Sequence, residues 1–166
     1  MATALFIKRE DIVRNTALGG NVDTDKFIQF IKIAQQIHIT NYLGTKLYDK
    51  ISDDILANTL AGDYLSLVND YVQPMLIHFA MMEYLPFAAY TIGNGGVYKH
   101  TSENSISVDK LEVDFLIAKE RKIAEYYVQR FLDYMSFNQS LYPEYNQNVN
   151  ADIYPDYDVQ RNGWVL

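Results

Sequence analysis

Three histidines, one carboxylate in an apolar run and one glycine cluster are the residues here whose types and settings invite chemistry. His38, His78 and His100 stand far apart in the chain. None belongs to the Glu-x-x-His or His-Glu-x-x-His patterns through which helical bundles hold metals. Glu83 is the only formally charged side chain between Tyr71 and Ile92. Burial there would raise its pKa and suit it to general-acid work, but no second carboxylate or nucleophile accompanies it. His78 stands among Met75, Met81 and Met82, a setting that favours a hydrogen-bonded core histidine over a ligand. Gly93-Asn94-Gly95-Gly96 has the glycines of a phosphate loop without its lysine, and it follows a helix instead of a strand. Asp152, Asp156 and Asp158 lack the spacing and glycine of a calcium loop. With no cysteine in the chain, thiolate chemistry and disulfides are excluded. The sequence predicts no catalytic residue, no metal site and no cofactor.

The element around which the chain is organised contains Glu83 and His78. From Tyr71 to Ile92 there is no polar face, and a helix apolar all round must be covered on most sides. It is long enough to cross a bilayer. Glu83, Gln73, His78, Pro74 and Pro86 argue instead for the central helix of a bundle, with no membrane contact. Pro74 is expected to bend this helix without dividing it. The 166 residues point to one domain with a real core.

The partners of that helix are also legible. From Lys26, apolar residues recur at Phe27, Phe30, Ile31, Ala34 and Ile37, with Gln29, Lys32, Gln35 and Gln36 assigned to the outside. Gly44 reads as a helix stop, followed by a short helical turn from Thr45 to Ile51. A long helix begins at Asp109 and runs to about Phe137. Its apolar stripe is read as Leu111, Phe115, Ala118, Ala124, Val128, Phe131 and Met135, with Lys110–Asp114 and Arg121–Glu125 as ion pairs on the wet side.

Between the two long helices lies Gly93 to Ser107, longer than the roughly 2–8 residues that usually join helices. Gly93, Asn94, Gly95, Gly96, Val97, Tyr98, Lys99 and His100 are its candidate contact residues, and the glycines allow a small hairpin. Past Asn138 helical periodicity ends, yet Tyr142, Tyr145, Ile153, Tyr154, Tyr157, Trp164 and Leu166 remain. Disordered tails are poor in aromatics, so this segment reads as an arm that docks, with a neighbouring subunit or another protein as its expected dock. The chain therefore divides into a helical domain at 1–137 and an extended arm at 138–166. The fold class is all-α: three main helices, short extra turns, a long Gly-rich loop and the arm.

Composition narrows function. A net charge of −7 does not suit a general nucleic-acid binder, which needs a basic surface. The fourteen tyrosines exceed what a core of this size needs, and tyrosine favours interfaces. The run MATALFIKRED places its charges after the apolar residues, the reverse of a secretory signal, so synthesis in the cytoplasm is expected.

Three blocks, in order, carry a likeness to a known family. The first is FIKREDIVRNTALGGNVDTDKFIQFIKIAQQIHITNYLGTKLYDKI, in which Ala34-Gln35 and Leu43-Gly44-x-x-Leu47-Tyr48 match best. The second is IGNGGVYKHTSENSISVDKLEVDFL and the third AEYYVQRFLDYMSFNQSLYPEY. Together they resemble the small helical neck proteins of tailed bacteriophages, the head–tail connectors or adaptors, most closely those of crAss-like phages. The likeness extends to Tyr145. It implies a virion protein of the neck or portal vertex, assembled in the host bacterial cytoplasm. Such proteins form a ring, usually a dodecamer, beneath the portal protein, and carry the next neck or tail protein below. DNA passes through the lumen without sequence-specific binding, which an acidic wall suits. The resemblance implies no catalytic residue. Two alternatives stay open: a cellular all-α oligomeric scaffold or regulator, and a helical-bundle enzyme using Glu83 and His78.

Overall fold

The computed structural model describes residues 4–19, 24–88, 90–99 and 109–160. It is an all-α bundle with one small hairpin. The helices are α1 (Arg9–Asn15), α2 (Thr24–Ala34), α3 (Thr40–Ala57), α4 (Gly62–Leu67), α5 (Gln73–Tyr84) and α6 (Lys110–Asn138).

Helix α5 is the core. Every residue from Met75 to Met82 is buried, as the missing polar face demands. It packs on α2 on one side and on α6 on another. A π turn at Val68–Val72 joins α4 to α5, with the Gln73 N–H donating to the Val68 carbonyl five residues back. Pro74 follows at once, where its missing donor costs least. The element is continuous from α4 through the π turn into α5, as expected, and Pro86 ends it in a 3-10 turn at Leu85–Phe87.

A second π turn, Gln35–Ile39, joins α2 to α3. Sequence reading places Gln35 in water, but it follows buried Ile31 by four residues, on the same side of α2, and is fully buried. Its Oε1 accepts from the Phe6 N–H at 2.9 Å, and its Nε2 donates to the Ala4 carbonyl at 2.9 Å and to the Tyr48 hydroxyl at 3.2 Å. One side chain thus ties the N-terminal segment to the bundle.

Gly44 stops the first helical stretch of α3, as its sequence setting predicts: φ 73° and ψ 163° break the helix there, and a second stretch runs on to Ala57. Asn58, in the left-handed region, closes it.

Helix α6 opens on a capping box. The Glu112 N–H donates to Asp109 Oδ1 at 2.9 Å, and the Asp109 N–H to Glu112 Oε2 at 3.0 Å. Its stripe needs correction in the first three turns. Ala124, Val128, Phe131 and Met135 are buried, but Leu111, Phe115 and Ala118 are exposed. At 100° per residue, Leu111, Phe115 and Ala118 point roughly 110–170° away from the centre of the buried set. The residues in phase with the core are Val113 and Ile117, both half-buried. Neither Lys110–Asp114 nor Arg121–Glu125 is among the ion pairs of the described residues.

The segment after α6 belongs to the same core. Tyr142 and Tyr145 are fully buried within it. The Tyr142 ring meets Tyr64 of α4 edge-on at 5.3 Å and tilts against Tyr134 of α6. Its hydroxyl donates to the Asp63 carbonyl at 3.1 Å and lies 2.9 Å from that of Tyr134. Residues 148–160 then cross α3 as an extended strap. The Thr45 N–H donates to the Ile153 carbonyl at 3.0 Å, the Asp156 N–H to the Asn41 carbonyl at 2.8 Å, and the Gln160 N–H to the Tyr42 hydroxyl at 3.2 Å. The arm expected to dock on a neighbour therefore docks, through residue 160, on its own domain. Tyr145 sets its ring edge-on to Phe131 of α6, so the two tyrosines pack this segment against α4 and α6, and its 3-10 turn contacts α3.

Candidate assembly surfaces

Two of the three histidines pair with glutamates remote in sequence. His38 Nε2 lies 2.8 Å from Glu83 Oε1, with the imidazole stacked on Phe79 at 4.2 Å. His78 Nδ1 lies 2.6 Å from Glu120 Oε2, with its ring parallel to Tyr127. Glu83 and His78, which sequence reading set side by side, belong to different pairs. Each pair pins α5 to a neighbour, Glu83 to the α2–α3 turn and His78 to α6. His100 lies outside the described residues.

His78 also lines an adjoining cleft. That cleft, of about 190 Å³, is lined by Asp11, Asn15, Asn69, Gln73, Pro74, Ile77, His78 and Tyr127. No hydroxyl or thiol nucleophile lines it beyond the Tyr127 phenol. Among the described residues no group of three His, Cys, Asp or Glu is placed to hold a metal ion. No helix among them is long and apolar enough to cross a membrane.

The loop after α5 forms the hairpin its glycines allow. Strand β1 (Tyr90–Gly93) pairs antiparallel with β2 (Gly96–Lys99), Tyr90 opposite Lys99 and Gly93 opposite Gly96. Asn94 and Gly95 make the turn, and Gly96 takes φ 128°, open to glycine. Each strand makes its main contact with the other and not with the bundle. Tyr90, Asn94, Gly95, Gly96, Val97 and Lys99 are exposed, Val97 at 65%.

The candidate arm residues separate into two groups. Tyr142 and Tyr145 are core, as described above. Ile153, Tyr154 and Tyr157 face outward on either side of the buried Pro155. Trp164 and Leu166 lie outside the described residues.

Sequence reading missed a second, exposed apolar face on α6. Leu111, Phe115, Ala118, Lys122, Tyr126, Asp133 and Phe137 fall within roughly 100° of arc along α6, opposite the buried stripe. Leu111 is 77% exposed, Phe115 69% and Phe137 89%. The run from Leu111 to Phe137 covers roughly 40 Å at helical rise. A search at a fixed period of 3.6, started separately from Leu111 and from Ala124, would have found two stripes instead of one.

Residues 39–155, well over half of the chain, match the model of a family described as a family of unknown function, DUF6712. No curated protein and no solved structure matches the chain.

Proposed function

The chain belongs to the DUF6712 family, and from that premise we propose that it is a structural virion protein: a head–tail connector, or neck adaptor, of a tailed bacteriophage. In this reading the subunits close into a ring, of twelve where the portal has twelve, beneath the portal protein. The lumen passes DNA, and the lower face receives the next neck or tail protein.

The observation that carries the reading is the second apolar face of α6. Fully burying one large apolar side chain is worth about 1.5–3 kcal/mol, and Leu111, Phe115 and Phe137 together leave several such increments unused in a lone subunit. Apolar surface gathered on one face marks an interaction site. The hairpin adds a second projection, with Val97 exposed at its edge. A net charge of −7 suits a conduit that must not retain phosphates. The sequence blocks that resemble neck adaptors overlap the family match.

Co-expression with the portal protein encoded by the same genome tests this. The expected result is a co-purifying complex whose negative-stain averages show a closed ring with a central channel. Small compact oligomers without a channel, indifferent to the portal protein, would favour the cellular scaffold instead.

A further inference from the structure

The second face of α6 has a composition that selects its occupant. Its ends are apolar, Leu111 and Phe115 at one and Phe137 at the other; Lys119 and Lys122 stand exposed midway, and Asp133 is the one acid among the residues named on it. Neither lysine takes part in an ion pair among the described residues. The face requires a partner that is apolar or aromatic with carboxylates interspersed.

The chain itself carries such a surface. Residues 139–160 contain Glu144, Asp152, Asp156 and Asp158 and no lysine or arginine. The strap turns Ile153, Tyr154 and Tyr157 outward with Asp158 among them. Asp49 and Asp53 of α3 extend the acidic field, in which Lys46 is a cation, 3.6 Å from Asp152: burial, then the charge of Asp53, hold the Asp49 carboxyl above its usual range against the opposing pull of Lys46. Both surfaces are rich in apolar side chains and opposite in charge, so contact between them gains area and steering together.

We propose that the exposed face of α6 docks on the strap face, around Ile153, Tyr154, Tyr157 and Asp158, of a second copy of the chain. This rests on the assembly reading and specifies its contact. The contact joins two different patches, so it is heterologous: each subunit donates α6 to one neighbour and receives α6 from the other. A contact of that kind builds a ring when its rotation closes. Two copies pairing α6 to α6 would instead stop at a dimer.

The absence of cysteine makes the contact directly testable. Phe137→Cys marks α6 in one preparation and Tyr154→Cys marks the strap in another, each chain then holding one thiol. Mixed and oxidised gently, the two should form the α6–strap heterodimer in preference to either homodimer. Adding Lys119→Glu and Lys122→Glu to the first chain should cut that yield at least about tenfold at low salt, as desolvating like charges predicts. Asp158→Lys in the second chain should restore part of it. Circular dichroism of each variant confirms that it is folded before mixing. Homodimers of the Phe137→Cys chain alone would overturn the proposal in favour of an isologous pair. A closed ring in native mass measurements with no α6–strap cross-link would overturn this contact and leave the assembly reading standing. A monomer at every concentration with no cross-link would overturn both.

Discussion

Gly44 and Asn148 meet where the strap crosses α3. A Cβ added to Gly44 would lie 2.8 Å from Asn148 Nδ2 and 2.9 Å from two carbons of the Pro155 ring. Asn148 is buried and works in both directions: its Oδ1 accepts from the Lys46 N–H at 3.0 Å and its Nδ2 donates to the Tyr145 carbonyl at 3.2 Å. The break in α3 exposes backbone donors just after Gly44, and the strap satisfies them. Gly44→Ala would add steric conflict to a backbone conformation that costs a non-glycine residue about 1–3 kcal/mol. We expect a lower unfolding midpoint in urea and new protease cleavage between 147 and 160. Unchanged cleavage would mean that the strap does not depend on this crossing.

The two buried tyrosines should respond oppositely to loss of their hydroxyls. The Tyr142 hydroxyl bridges Tyr134 and the Asp63 carbonyl, so Tyr142→Phe should cost about 1 kcal/mol, the net worth of an ordinary hydrogen bond. The Tyr145 hydroxyl is buried and has no hydrogen-bond partner among the described residues. Tyr145→Phe should therefore be neutral or stabilising, since it removes an unsatisfied polar group. Chemical denaturation of the two variants side by side checks the sign.

Alkaline pH should unfold this chain steeply. Burial raises the pKa of Tyr42, Tyr64, Tyr84, Tyr142 and Tyr145 above the usual 10.0. Below pH 10 these phenols are neutral in both folded and unfolded chains, and their contribution to stability is complete. Above it the unfolded chain ionises first, so stability falls as pH rises toward the folded pKa values. Tyrosinate absorbance from these groups should appear together with loss of helicity. Smooth titration of all fourteen tyrosines at fixed helicity would contradict the burial described.

The His38–Glu83 pair should be structural. Glu83→Gln retains an acceptor for His38 and should cost about 1–2 kcal/mol while assembly persists. Thermal melts and sedimentation of the variant measure the two effects separately. Lost assembly at undiminished stability would assign Glu83 a role beyond holding α5 to the α2–α3 turn.

The fold was legible where one local signal decided it. Helix α5 announced itself by having no polar face, α6 by its amphipathic run from Asp109, and the hairpin by its glycines. Three features depended on tertiary structure. Gln35 lies in phase with buried Phe27 and Ile31, and was assigned outward for its polarity; its partners, the Phe6 N–H and Ala4 carbonyl, come from a segment about 30 residues away. Tyr142 and Tyr145 looked like docking residues because nothing local showed that the chain folds back to set them against Tyr64 and Phe131. Leu111, Phe115 and Ala118 were joined to a stripe with which they are out of phase, since the six-residue step from Ala118 to Ala124 crosses the helix. That last misreading concealed the face on which the assembly proposal now rests.

Native mass spectrometry of the purified chain, alone and bound to its portal protein, tests the central claim most directly. The account predicts a closed species at twelve times the 19.2 kDa of one chain, or one copy per portal subunit in the complex, and loss of that species on Phe115→Asp with Phe137→Asp. A chain that remains monomeric or dimeric in both preparations would contradict it.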